Sequence, residues 1–78
     1  MIERKTVAVD GEYAINVVTE QLADGWAVVA SLRHASAQGE KIIDLPVTSR
    51  RFADQAEAEA FGVEQARTWL ERNRPRAA

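Results

Sequence analysis

The side chain best suited to acid–base chemistry is His34, the only histidine in this chain of 78 residues. A histidine exchanges protons near neutral pH, so it is the natural candidate for a general base. The chain has no cysteine, and none of its serines lies in a recognisable nucleophile motif. Because His34 falls at the end of a predicted strand beside a polar loop, we expect a structural or neutral role for it. The sequence predicts no catalytic residue and therefore a protein that is not an enzyme.

A metal or cofactor site would need several ligands that the fold brings together. One histidine without cysteine cannot supply the usual zinc ligands. Five acidic residues that could be calcium ligands lack the spacing of a calcium-binding loop: Glu3, Asp10, Glu12, Asp24 and Asp44. The two Asp-Gly pairs, at positions 10–11 and 24–25, fit tight hairpin turns better than a phosphate-binding glycine loop. We expect neither a metal nor a cofactor.

Arginines cluster before and after the predicted C-terminal helix, where they could contact nucleic acid or an acidic partner. These candidates are Arg50, Arg51, Arg72, Arg74 and Arg76. The formal net charge is nevertheless −2, and Glu64 and Glu71 lie at helical spacing from Arg67. A solvated surface of mixed charge is therefore the favoured interpretation, and nucleic-acid binding is the alternative function.

The length and composition indicate one small globular domain. Hydrophobic residues make up 46% of the chain and charged residues 28%, which is typical of folded proteins. A chain of this length cannot form two separate cores. We expect one domain over residues 1–78, with an ordered core from about residue 5 to 73 and a frayed tail over 74–78. The lack of cysteine and of any long apolar segment favours a cytoplasmic protein without membrane contact.

The N-terminal half is predicted to form strands. Residues 5–9 alternate and precede a turn at Asp10-Gly11, so they are a candidate first strand. Residues 13–22 place Tyr13, Ile15, Val17 and Thr19 on one side of a second strand. The same segment also fits helical spacing, with Asp10 as N-cap and Gly25 as stop. We favour the strand because closely spaced β-branched residues lose rotamer freedom in a helix.

The next two strands follow from alternation and turn residues. Residues 26–34 alternate most regularly, with Trp26, Val28, Ala30 and Leu32 on one side. A loop over 35–39, longer than two residues, should lead to a strand over 41–47 whose inward side chains are Ile43, Leu45 and Val47. Since Pro46 cannot donate a ladder hydrogen bond, this strand should lie at an edge of the sheet.

The clearest helix signal covers residues 55–73. Asp54 is a good N-cap, and Glu57 at the third helical position completes a capping-box-like pair. The stripe expected to face the sheet consists of Ala58, Phe61, Gly62, Ala66, Trp69 and Leu70. The predicted fold class is therefore α+β, an antiparallel β-meander of three to four strands with one C-terminal α-helix packed on one face.

One helix can cover only one face of such a sheet. The alternation leaves four apolar residues on the other face, mixed with polar ones: Val18, Ala27, Val29 and Ile42. Exposed apolar surface on a small domain is often a site of association. We therefore expect a non-enzymatic interaction domain that binds a second copy of itself or another protein through this face.

The order of these segments also resembles a known group of proteins. The features are Leu22-Ala23-Asp24-Gly25 between two strands, Phe52, Glu57-Ala58, and the segment from Ala66 to Leu70. Over about residues 13–73 they resemble small uncharacterised proteobacterial proteins of unknown function. This resemblance implies strands followed by one helix and no catalytic residue. The element order is also similar to HicB-type antitoxin and double-stranded-RNA-binding folds, from which no function is carried over.

Overall fold

The computed structural model describes residues 2–8 and 12–73 of the chain. Four antiparallel strands form one sheet in the order β1-β2-β3-β4, and one helix follows. The elements are β1 (Ile2–Ala8), β2 (Tyr13–Leu22), β3 (Gly25–Ser36), β4 (Gly39–Asp44) and α1 (Gln55–Asn73). The helix packs on β2 and β3, so the predicted α+β meander with a C-terminal helix is confirmed.

The segment that could have been a helix is the strand β2. All of its residues pair with β3, and most also pair with β1, so it is a central strand with both ladders occupied. Ile15, Val17 and Thr19 are buried on the side that faces α1. The helical alternative for residues 13–22 is therefore wrong, because β-branched side chains at every second position fit a covered pleated surface better than a helix.

The strand β3 follows the predicted alternation. Val28, Ala30 and Leu32 are buried beneath α1, and Trp26 packs partly buried against the same core. The turn before β3 consists of Ala23 and Asp24, and the next residue, Gly25, has φ +128°. A Cβ atom at Gly25 would lie 2.8 Å from the carbonyl oxygen of Phe52, so both the backbone angle and the close contact require glycine.

The prediction for β4 is wrong in three respects. The loop before it is a two-residue turn, Ala37-Gln38, flanked by the Ser36–Gly39 pair, so β4 begins at Gly39. The strand ends at Asp44 rather than at residue 47. Leu45 is buried as predicted, but Val47 is 72% exposed. Pro46 has no N–H to continue the ladder, and the chain therefore leaves the sheet before Val47. As predicted, β4 is an edge strand.

The strand β1 lies at the other edge and extends from Ile2 to Ala8. It begins earlier than the predicted strand over residues 5–9. The predicted end of this strand at Val9 and the predicted turn at Asp10-Gly11 fall outside the described residues. The predicted frayed tail over 74–78 also falls outside them. The pairing of β1 with β2 runs from Ile2 opposite Glu20 to Ala8 opposite Ala14.

The helix begins and packs as the sequence predicts. The Asp54 carboxylate accepts a hydrogen bond from the Glu57 backbone N–H at 2.8 Å, which is the N-cap contact. Ala58, Gly62, Ala66 and Leu70 are the buried helix residues. The predicted stripe members Phe61 and Trp69 lie partly buried beside them.

Gly62 marks the closest approach between helix and sheet. A Cβ atom there would lie 3.0 Å from a methyl group of Val17 and 3.0 Å from one of Val28. Any side chain at this position would have to push these valines aside, and the small residue therefore sets the distance between α1 and the two central strands.

The connection between β4 and α1 is tied to the start of β3. Phe52 and Trp26 exchange backbone hydrogen bonds of 2.9 and 3.0 Å, and the Leu45 N–H bonds the Ala30 carbonyl at 3.2 Å. Arg51 adds a contact from its Nε to the Asp24 carboxylate at 3.2 Å. The connection therefore runs along the part of β3 that the short β4 leaves without a partner strand.

Candidate association face

Within residues 2–8 and 12–73, no element covers the side of the sheet opposite α1, and we call this side the open face. Directly paired residues of neighbouring strands point to the same side of a sheet, so the register defines the rows of this face. One row consists of Arg4, Val18 and Val29, and the next consists of Thr6, Asn16, Ser31 and Asp44. Two outer rows place Glu20 beside Ala27 and Arg33 beside Ile42.

All four residues that the sequence assigned to an association surface lie on the open face. Val29 is 44% exposed and Ile42 is 53% exposed, whereas Val18 and Ala27 are half-buried by their neighbours. Val18 and Val29 pair directly, so their side chains form one continuous apolar strip across the two central strands. Ile42 lies on the edge strand, next to Arg33.

The row beside this strip is polar throughout. The Thr6 hydroxyl donates a hydrogen bond to the Asn16 side-chain oxygen at 2.9 Å. Ser31 and Asp44 continue the row to the edge formed by β4. The open face therefore consists of an apolar row and a polar row side by side rather than of a random mixture.

The open face carries charges of both signs. Arg33 lies 3.8 Å from Glu40, and both side chains are about half exposed, so this contact contributes little to stability. Arg4, Glu20 and Asp44 have no ion-pair partner among the residues that the structure describes. Two of these three, Arg4 and Asp44, lie on opposite edge strands.

Three of the five arginines proposed for nucleic-acid contact lie in the described part of the chain, and these three do not form one cluster. Arg50 lies over the rings of Phe52 and Phe61, with its guanidinium carbon 5.1 and 5.8 Å from their centroids. Arg51 bonds Asp24, as described above. Arg72 lies in the last turn of α1, about 25 Å along the helix axis from Gln55 at its start. Arg74 and Arg76 fall outside the described residues, and nucleic-acid binding stays a prediction.

His34 lies in a ring stack at the end of the central hairpin. It pairs directly with Tyr13 across the strands, and the two ring centroids are 4.4 Å apart with an angle of 10° between the planes. Its Nε2 lies 3.5 Å from a carboxylate oxygen of Glu12. These contacts pack the imidazole against a ring of the neighbouring strand, and the expected structural or neutral role of His34 stays a prediction.

A polar groove between β1 and the first half of α1 was not foreseen from the sequence. It encloses a cavity of about 230 Å³ and contains Glu3, Lys5, Thr19, Gln55 and Glu59. The Gln55 amide donates to the Glu3 carboxylate and, at 3.2 Å, to the buried Thr19 hydroxyl. The Lys5 ammonium donates to the Glu59 carboxylate at 2.8 Å, and this hydrogen bond raises the pKa of Lys5. The polar groups of the groove thus bind each other.

Two further findings concern the described ranges, residues 2–8 and 12–73. They contain no group of three or more His, Cys, Asp or Glu side chains placed to hold a metal ion. The helix within them lacks the apolar character needed to cross a membrane.

In comparisons with family models, with curated proteins and with solved structures, the chain matches none of them.

Proposed function

We propose that this protein is a small interaction domain that acts by binding another protein surface through the open face, rather than by catalysis. The observation that carries the proposal is the exposure of Val29 and Ile42, at 44% and 53%, on a sheet whose opposite face is covered by α1. Surface valines and isoleucines that occur singly need no explanation, but here Val18 and Val29 adjoin in one strip.

The free energy gained by covering this face is modest. Complete burial of a valine or isoleucine side chain contributes about 1.5 to 3 kcal/mol. The half-exposed Val29 and Ile42 would thus gain about 1 kcal/mol each when covered. The charged residues around the strip, Arg4, Glu20 and Asp44, supply the polar rim that selects a partner.

The test compares two valines that are both exposed but lie in different places. Val29→Lys places a charge in the apolar strip, whereas Val47→Lys places it in the connection after β4, where Val47 is 72% exposed. Sedimentation velocity over a range of concentrations, and affinity capture followed by mass spectrometry, report the assemblies that each variant forms. We expect Val29→Lys to abolish an assembly that both the wild type and Val47→Lys form.

An assembly that survives Val29→Lys, or a wild type that stays monomeric and captures no specific partner, contradicts the proposal. Circular dichroism checks that both variants keep the fold. Since Val29 is partly exposed and makes no core contact, we expect its lysine variant to unfold in one transition near that of the wild type.

A further inference from the structure

The geometry points to a second copy of this chain as the partner, stacked face to face about a two-fold axis that runs parallel to the strands between β2 and β3. In this dimer β2 lies over the partner's β3, and β1 lies over the partner's β4. The inference rests on the proposed function, because it names the surface that covers the open face.

We choose this axis because it places each row of the open face over the same row of the partner. Residues that pair across β2 and β3 exchange places under the rotation, so Val18 faces the partner's Val29, and Asn16 faces the partner's Ser31. The apolar row then covers an apolar row, and the polar row covers a polar row. The two strand directions stay nearly aligned, which is the common arrangement of stacked sheets.

The other in-plane axis, perpendicular to the strands, gives a poorer match. If it runs between the two rows, it places Val18 over the partner's Asn16 and Val29 over the partner's Ser31, and each valine then desolvates an amide or a hydroxyl without replacing its hydrogen bonds to water. If it runs along the apolar row, it places Arg4 over the partner's Arg4, and the two like charges repel each other. The pattern of rows therefore distinguishes two dimers that bury the same face.

The charges on the edge strands give independent support. Arg4 lies on β1 and Asp44 on β4, in neighbouring rows, so within one chain they are about 16 Å apart, three strand spacings across and two residues along. Neither has an ion-pair partner among the described residues. The proposed axis places Asp44 over the partner's Thr6, one row from the partner's Arg4, whose long side chain can reach it, and the symmetry forms this pair twice in each dimer.

The size of the face sets the expected strength. Four strands and the rows between Glu20 and Arg33 cover about 20 by 20 Å. This area, about 400 Å² on each subunit, is below that of stable protein interfaces, and we therefore expect a weak dimer that dissociates at high micromolar concentrations and equilibrates rapidly.

The decisive experiment is a charge exchange between β1 and β4. We expect Arg4→Glu and Asp44→Arg each to weaken dimerisation about 10-fold, because each brings like charges close together in neighbouring rows at two symmetric sites. The double variant Arg4→Glu/Asp44→Arg restores opposite charges between subunits and should dimerise within about threefold of the wild type. Rescue can act only between subunits, given the distance within one chain. Arg67→Glu, on the exposed side of α1, is the charge-matched control.

Sedimentation velocity at low salt measures all four variants, and circular dichroism confirms that they are folded. Recovery in the double variant supports the proposed axis. A dimer that depends on Val29 but is weakened further in the double variant overturns the axis and leaves the proposed function standing. A complex with a different protein that depends on Val29, without any homodimer, overturns the second copy as partner but not the function. A monomer without any complex overturns both.

Discussion

The two faces of the sheet are built from similar residues and have opposite surroundings. On the side of α1, Ile15, Val17 and Leu32 are at most 1% exposed, whereas on the open face Val29 is 44% exposed and Ile42 53%. The difference is in what covers each face, since valine and isoleucine occur on both. The comparison shows that the helix turns one face of the sheet into the core. The other face remains a half-apolar surface, which is too polar for a core and more apolar than an ordinary solvated surface.

The strongest test of this comparison is one substitution made on both faces. Ile15→Ala removes a fully buried side chain and should lower the free energy of unfolding by about 3 to 4 kcal/mol, through lost burial and a cavity. Ile42→Ala, at the 53% exposed position, should cost less than about 1 kcal/mol. Urea denaturation below the dimer dissociation constant measures both, and equal losses would refute the contrast between the faces.

The second test concerns the close packing of the helix on the sheet. Gly62→Leu forces a side chain between Val17 and Val28, whose methyl groups lie 3.0 Å from the position of a Cβ atom. We expect a loss of about 2 to 3 kcal/mol in the free energy of unfolding, because the close packing cannot accept the extra volume. Ala60→Leu, on the exposed side of the same helix, is the control and should be nearly neutral. A stabilised Gly62→Leu protein would show that α1 can move away from the sheet at little cost.

A smaller effect on the free energy of unfolding is expected at the N-cap of α1, the helix that covers one of the two faces. Asp54→Ala removes the acceptor for the Glu57 N–H and should lower the free energy of unfolding by about 1 kcal/mol. Asp54→Asn keeps an acceptor oxygen and should retain most of the stability. Thermal denaturation of the pair measures the cap, and equal melting temperatures of the two variants would contradict it.

The smallest effect concerns the pair that joins β1 to α1. The hydrogen bond from Lys5 to Glu59 raises the pKa of Lys5 above its ordinary value of 10.5. A raised pKa means that the folded state binds the proton more tightly, so the pair stabilises the protein below pH 10.5 and this contribution is lost as the pH rises through the higher pKa of the folded state.

Glu59→Gln is the matched variant for this pair, because it keeps the shape of the side chain without its charge. The melting temperature of the wild type should fall more steeply than that of Glu59→Gln above about pH 10. The difference between the two curves should shrink in high salt because the Lys5 side chain is 58% exposed and that of Glu59 is 27% exposed, so solvent ions can screen the pair. Parallel curves at low salt would show that the contact does not contribute.

The sequence was most informative where local rules decide the structure. The Asp54 cap, the alternation of β2 and β3, and Gly62 on the buried stripe of α1 were all foreseen, since each depends on neighbouring residues or on a simple period. The same alternation placed Val18, Ala27 and Val29 on the open face, but it missed Ile2, which pairs with Glu20 there and is 64% exposed. The side of a strand on which a residue lies can be read from the sequence once the strand is correctly identified.

Features that depend on distant residues were not predictable. Lys5 and Glu59 are 54 positions apart, and Gln55 and Thr19 are 36 apart, so no local pattern reveals their contact. The rows of the open face required the register, which also depends on the lengths of the turns. The error at Val47 had a local cause, since the effect of Pro46 on the end of β4 was underestimated.

The backbone bonds between Phe52 and Trp26 have a consequence for the behaviour of the protein at high concentration. The strand β4 pairs only with residues 31–36 of β3, which leaves Trp26-Ala27-Val28-Val29-Ala30 without a partner strand on that side. This uncharged, β-prone segment is the kind of sequence that recruits other chains into fibrils when its backbone is accessible. The connection through Leu45 and Phe52 occupies several of these backbone groups and thereby protects the native protein against aggregation.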